Sequence, residues 1–440
     1  MSTIKIDIRA FVNERKLSYY QWVVLFLCFL IVVADGMDVA IMGFIAPSIV
    51  REWGLSKALF GVVMSAAPFG LAIGAIVAGP LSDIFGRKKI LMGSVLCFAV
   101  FTYLTSLSTN MDQMVWFRLL TGFGLGASMP NTTTLLSEYI PERSKSFLIT
   151  LMFTGFNLGS GLIGFVAAYL IPDHGWASVL KFGAFVPLLL LPCLYFFLPE
   201  SVRFMVVKNY SNDKISKTIS RVCNHSFDQG THFYATEPEL VSKKPIKVLF
   251  QKGMPIITIS LWVTYFMGLM VIYLLTGWLP TLIKDSGLSI SEAANVTAMF
   301  QIGGTLGGVA VGFLMDRFRA TRMISLAYLG GAILVLCVGL GGVTSGLLAL
   351  IVALTGFCMS GAQTGLNAFA PTCYPTVARA TGVSWMLGFG RFGSILGSMV
   401  GGILLSLGWG FGNILSILAI PAILAAIAMT VCQVYKSKLA

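Results

Sequence analysis

Gly79-Pro-Leu-Ser-Asp83-Ile-Phe-Gly86-Arg87-Lys88-Lys89 breaks a long apolar stretch with an acid, a turn glycine and three consecutive bases. The run before it, 59-81, and the run after it, 90-108, are each long enough to cross a bilayer, whose core of about 30 Å takes roughly 20 helical residues. A short basic hinge between two such runs marks a loop on the side of the membrane where Lys and Arg collect. The construction returns 233 residues later, where Gly312-Phe-Leu-Met-Asp316-Arg317 closes another apolar run. A repeated membrane unit, rather than a string of soluble domains, is the organisation this implies.

Composition agrees. Of 440 residues 56% are hydrophobic and 11% charged, with a mean hydropathy of +0.85, whereas soluble chains average about 25% charge. Cutting at charge and turn clusters gives twelve spans: 22-46, 59-81, 90-108, 113-136, 147-171, 177-198, 254-280, 293-315, 323-342, 346-370, 380-406 and 409-434. The long polar stretch 201-253, which includes Thr236-Glu237-Pro238-Glu239, reads as a cytoplasmic linker. It separates an N-terminal arm (1-21) and a first six-helix bundle (22-200) from a second six-helix bundle (254-435) and a short tail (436-440). The expected fold is an all-α membrane protein with 12 transmembrane helices in two six-helix bundles.

The net charge of +12 would point to nucleic acid in a soluble protein. Here 24 of the 30 Lys and Arg residues fall in the arm, the linker, the tail and alternate loops, and only Arg51, Lys57 and Lys284 in the others. This asymmetry places the N- and C-termini in the cytoplasm. The basic residues set topology, and nucleic acid is excluded as a partner. The first apolar run is too long for a signal peptide and lacks a small-residue cleavage site.

Seven of the eight cysteines (Cys28, Cys97, Cys193, Cys337, Cys358, Cys373, Cys432) lie in or beside apolar runs and read as small buried hydrophobes. His174, His225 and His232 fall in expected loops without ligand-like spacing, so no metal site is expected. No GxSxG or HExxH motif and no span histidine supports an intramembrane enzyme. A channel would not need a duplicated bundle with inner gate motifs.

The quoted hinge resembles the loop signature of the major facilitator superfamily, and Asp316-Arg317 with Gly312 looks like its degenerate second copy. Arg118-x-x-x-Gly122-x-Gly124-x-Gly126 in span 4 agrees. Asp35-Gly36-Met37-Asp38 in span 1 resembles the DGxD motif of the aromatic acid:proton symporter family, bacterial carriers of benzoate, 4-hydroxybenzoate and related acids. Arg391 in Gly388-Phe-Gly-Arg391-Phe-Gly-Ser, Glu138 at the end of span 4 and Arg379 at the start of span 11 support it. Some members carry a histidine near the 8-9 loop; this chain has Thr321 and Arg322 there, so that histidine's role is not carried over. Leu198-Pro-Glu200-Ser-Val-Arg203-Phe is shared with sugar porters, and span 5 lacks the proline of the drug-antiporter signature. The resemblance implies a monomeric, multi-pass protein of the bacterial inner membrane. It would import a monocyclic aromatic carboxylate of the 4-hydroxybenzoate, benzoate or protocatechuate class with protons, using the proton gradient and no cofactor. A carrier of another organic anion or a sugar is the alternative, a drug exporter a more distant one.

Helical rise sets the depths of the in-span charges. Asp35 and Asp38 lie roughly 20-24 Å from the inner face, Arg118 roughly 22 Å and Arg391 roughly 17 Å. Charge in hydrocarbon costs about 2.5-3.5 kcal/mol, so such residues line cavities and have partners. Asp35 and Asp38, spaced i, i+3, share a helix face. Two carboxylates so close in low dielectric do not readily both ionise, which makes them proton-coupling candidates together with Arg118. Protonation would release Arg118, whereas a permanent pair tying spans 1 and 4 is the structural alternative. Arg391 offers a carboxylate a planar, permanently charged fork. Trp385, Phe389 and Phe392, with Trp262, Tyr265 and Phe266 of span 7, are candidate ring walls, and Arg118 and Asp38 complete the substrate set. A ring hydroxyl would need a polar partner; Asn131, Asn157, Gln301, Gln363 and Asn367 are all available, and sequence does not choose among them. Gly79, Asp83, Gly86, Arg87, Glu138, Arg143, Asp316, Arg317 and Arg379 form the candidate inner gate, held by charge pairs and helix-end contacts that break on opening.

Overall fold

A computed structural model describes residues 5–225, 227, 231–234, 249–251, 254–339, 344–374 and 376–439. The stretch Thr236-Glu237-Pro238-Glu239 lies outside them. Twelve long helices carry the fold: α2 (Tyr19–Trp53), α3 (Lys57–Phe85), α4 (Arg87–Thr105), α5 (Met111–Tyr139), α6 (Glu142–His174), α7 (Trp176–Phe197), α10 (Met254–Asp285), α11 (Ile290–Arg317), α12 (Ala320–Gly339), α13 (Ser345–Phe369), α14 (Thr376–Ser406) and α15 (Phe411–Leu439). A chain this apolar must satisfy its backbone polar groups within each segment, which favours helices. Eleven of the twelve are long and apolar enough to span a bilayer. The exception is α5, where Arg118, Ser128, Asn131, Thr132 and Glu138 replace apolar residues. Several of these are buried against neighbouring helices, so α5 is polar because its partners are protein.

The quoted hinge shows why its residues are needed. α3 ends and α4 begins around Gly86, whose φ of 97° is strained for any residue with a side chain. A Cβ there would also run into the Glu200 carboxylate. Glu200 uses that space to cap α4, its Oε1 accepting from Lys88 N at 3.0 Å. At the repeat, α11 stops at Phe318 in extended backbone with no glycine.

Helix pairing is duplicated. α3 packs on α5 and α2 on α6 as α11 packs on α13 and α10 on α14. Glycines permit the close approaches: side chains at Gly122 and Gly126 would strike the Ala67 and Leu71 carbonyl oxygens of α3, and at Gly303 and Gly307 those of Ala353 and Phe357 of α13. Gly36, between the two aspartates, lies against the Phe156 carbonyl of α6. Gly36→Ala forces that backbone apart and is expected to cost about 1–3 kcal/mol, read as a lowered thermal unfolding midpoint in detergent.

Among the described residues, polar contacts that join the first six long helices to the last six include Lys57 Nζ–Asp285 Oδ2 at 2.5 Å, Ala58 N to Ser406 Oγ at 2.7 Å, and Ser291 Oγ to the Ala168 carbonyl. All three lie at the helix ends remote from the arm and linker. There Trp278 also donates its indole N–H to Ser398 O at 2.7 Å.

Several expectations change in detail. Arg143 and Lys145 sit in the first turn of α6, because Pro141 starts that helix before the expected 147. Arg322 belongs to α12, and the expected tail continues α15 to Leu439. His174 ends α6 and His232 lies in a strand rather than a loop. Cys193 is exposed, since an apolar span also presents residues outward. The all-α expectation has one exception: β1 (Lys5–Asp7) pairs in parallel with β2 (His232–Tyr234). The arm's α1 (Ile8–Asn13) and the linker's α8 (Val202–Val207) and α9 (Asn212–Cys223) complete a small layer outside the long helices. Phe11, His225, Phe227 and Phe233 pack edge-on or tilted within it, and Ser18 Oγ donates to Val222 O.

Candidate functional site

Asp35 and Asp38 both face α5 and are 1% exposed, as is Arg118. The Arg118 guanidinium meets Asp38 through Nη2–Oδ2 at 3.0 Å and Nη1–Oδ1 at 3.2 Å, and Nη2 also reaches the Asp38 carbonyl at 3.4 Å. Of the two carboxylate approaches only that to Oδ1 has hydrogen-bond geometry. Thr102 of α4 donates its hydroxyl to the same Oδ1. Asp35 is held differently: Ser128 Oγ donates to its Oδ2 at 2.9 Å, and Oδ1 has no hydrogen-bond partner among the described residues. One aspartate is thus charge-paired and the other is not.

Arg391 projects from the middle of α14, half-buried, with the Tyr273 hydroxyl of α10 close by and Asp35 within range of its field. Among the described residues it makes no ion pair. A small space is bounded by Met64, Pro68, Arg118, Tyr273, Thr276 and Ser398. Asp35, Asp38, Arg118 and Arg391, placed at similar depth from sequence, therefore lie near one another on α2, α5 and α14, beside Tyr273 of α10. Thr102, Ser128 and Tyr273 complete the site and were not singled out from sequence, where a lone hydroxyl in an apolar helix resembles many that merely bond their own backbone.

The expected aromatic walls are partly engaged with each other. Trp262 lies nearly parallel to Trp385, 5.9 Å between centroids and 9° between planes, and stacks on Phe389 at 5.4 Å. Phe392 is 61% exposed, so its ring is free to meet another surface. Tyr265 is buried against α14 at Gly390, with its hydroxyl near the Gln363 and Asn367 side chains.

The motif residues form one assembly on the first half. Arg87 Nη1 pairs with Glu138 Oε1 at 2.7 Å, and Nη2 lies 3.8 Å from Asp83 Oδ1. Ser201 Oγ joins by donating to Glu138 Oε2 at 2.5 Å, and Tyr139 donates its hydroxyl to the Glu200 carbonyl. Arg143 is not part of this network; its Nη2 donates to Arg15 O at 2.8 Å and fastens the arm. Asp83 is 73% exposed, Arg317 covers the Phe313 ring of its own helix, and Arg379 is exposed. Open space surrounds Gly79 and Gly312.

Comparison with known proteins adds lineage to this geometry. The family model described as Major Facilitator Superfamily matches residues 27–345 and 261–437. A gallate transporter of Pseudomonas putida is 52% identical over 424 residues, covering 96% of this chain and 94% of the relative. The 4-hydroxybenzoate transporter PcaK of the same species is 49% identical, covering 97% and 95%. Among solved structures, a D-xylose-proton symporter superposes with a TM-score of 0.73 at 18% identity, covering 93% of this chain and 97% of that one.

Proposed function

The chain belongs to the major facilitator superfamily, and from that premise we propose that it imports a monocyclic aromatic carboxylate together with protons across a bacterial inner membrane. It is a transporter and not an enzyme, as its relatives are. All twelve long helices cross the membrane, α5 included, as two six-helix bundles with cytoplasmic termini; the protein works as a monomer. Arg391 carries this reading. It is a half-buried cation beside a neutral phenol and without an ion pair among the described residues, so an incoming carboxylate finds an uncommitted charge with fork geometry.

The contacts at the outer ends and the exposed Asp83 and Arg379 at the inner ends correspond to an inward-facing state. In the outward-facing state the Lys57–Asp285 pair opens and the inner motif charges close against the opposite bundle. Asp38 keeps Arg118 neutralised throughout the idle carrier. Asp35, with an unpartnered oxygen beside the Arg391 field, takes the proton, and carboxylate and proton then leave together on the inner side.

Reconstituted into proteoliposomes, the protein is expected to accumulate labelled 4-hydroxybenzoate when the lumen is alkaline and to exchange it by counterflow without a gradient. Asp35→Asn should retain counterflow and lose the response to the pH gradient. Accumulation that persists in Asp35→Asn would remove the proton role, and absence of both transport modes for any aromatic acid would remove the substrate class.

A further inference from the structure

The five span amides that were equal in sequence are unequal in the fold. Asn131 Nδ2 is committed to Ala127 O of its own helix at 2.8 Å, and Gln301 Nε2 to Thr276 Oγ1 at 3.0 Å. On α13, Ser360, Gln363, Thr364 and Asn367 recur at i, i+3, i+4 and i+7 and so share one face. This face is polar and carries no charge. Gln363 is 7% exposed; its Oε1 accepts from the Tyr328 hydroxyl at 2.6 Å, while its Nε2 and the Ser360 hydroxyl have no hydrogen-bond partner among the described residues. Room for the amide comes from Gly268 of α10, where any side chain would strike Gln363 Oε1 and the Tyr328 hydroxyl. Asn157 of α6 approaches the same face near Gly304.

Tyr265 connects this wall to the cation. Its hydroxyl lies near the Gln363 and Asn367 side chains, and its ring packs at Gly390 of α14, the residue before Arg391. The site therefore has two chemically different ends, one a guanidinium suited to a carboxylate and the other a neutral amide-phenol cluster with an unpaired buried donor. Such a donor is destabilising while it stays unpaired, which a ligand hydroxyl relieves and a C–H does not.

We propose that Gln363, supported by Tyr265 and Tyr328, reads a hydroxyl on the substrate ring, so that the carrier selects ring-hydroxylated benzoates over benzoate itself. This rests on the aromatic-carboxylate reading, with the carboxylate at Arg391 and the ring hydroxyl at Gln363 as the two ends of one ligand. Nε2 donates to the hydroxyl oxygen, and the hydroxyl proton is free to go to Tyr265 or Asn367. Sites built this way reject an analogue lacking the group because their own polar atoms are left unpaired.

The test is competition against counterflow of labelled 4-hydroxybenzoate in proteoliposomes, comparing unlabelled 4-hydroxybenzoate with unlabelled benzoate. The unmutated protein should prefer the hydroxylated acid by about tenfold or more. In Gln363→Leu that preference should fall towards one. The readout is a ratio within one preparation, so a misfolded fraction cancels. Should Gln363→Leu fail to fold, Tyr328→Phe, which removes the hydroxyl that orients the amide and keeps the ring, should lower the ratio in the same direction. A preference unchanged in the variant that folds, or no preference in the unmutated protein, overturns the proposal and leaves the aromatic-carboxylate reading standing. Uptake of neither acid by the unmutated protein overturns that reading, and the proposal with it.

Discussion

Asp38→Asn is expected to abolish both gradient-driven uptake and counterflow, and to lower stability in detergent by about 3–5 kcal/mol. The reason is Arg118. Its guanidinium is 1% exposed and Asp38 is its only ion-pair partner among the described residues, at 3.0 Å. Removing the carboxylate charge leaves a buried cation held by amide and carbonyl oxygens alone, and an unpaired buried charge costs far more than the intact pair gains. Two further measurements separate the carrier role from the structural one. Asp38→Asn combined with Arg118→Gln removes both charges and should recover most of the lost stability, because the uncompensated cation is gone. Transport should stay absent in the double variant if the pair has to break and re-form during the cycle. Transport restored along with stability would reduce the pair to a strut between α2 and α5. The contrast with Asp35→Asn, where exchange is expected to survive, is what distinguishes an aspartate that holds the bundle from one that carries the proton.

Charge in an apolar chain is conspicuous, and that decides which parts of this protein can be read from its sequence. Asp35, Asp38, Arg118 and Arg391 stand out because hydrocarbon penalises them, and helical rise alone places them at similar depth. The convergence of their helices in the fold follows that estimate. Thr102 and Ser128 escape the same reading, because span hydroxyls usually return a bond to their own helix, as Thr121 does to Phe117 O. Ser128 does this to Leu125 O and bonds Asp35 as well, and only the fold shows the second contact. Arg143 shows a boundary error with chemical consequences: begun at Glu142 rather than 147, α6 turns that guanidinium towards the arm and away from Glu138. The three-residue strands β1 and β2 are too short for any periodic signal, and their partners lie more than 220 residues apart in the chain. Gly86 is the opposite case, since a glycine between an aspartate-bearing helix end and three bases already implies a turn that no side chain tolerates.

Arg391→Ala is expected to weaken binding of an aromatic carboxylate by about two to three orders of magnitude, since truncating one member of a desolvated charge pair costs about 2–5 kcal/mol. Arg391→Lys retains the positive charge but presents a point ammonium in place of the fork, so a loss of about tenfold is expected. Direct binding of 4-hydroxybenzoate to purified protein, by calorimetry or by the shift in thermal unfolding, checks both without requiring transport. The substitutions should leave ligand-free stability nearly unchanged, because Arg391 is half-buried and has no ion pair among the described residues to break. In this they differ from Asp38→Asn, where stability and transport fall together. Tyr273→Phe gives the internal control: it removes the hydroxyl beside Arg391 while keeping the ring. A modest loss of affinity there, with a large one in Arg391→Ala, is the pattern of a guanidinium that contacts the ligand and a phenol that only aims it. Equal, small effects of all three would mean the carboxylate binds elsewhere, and Arg118 would then have to leave Asp38 to receive it.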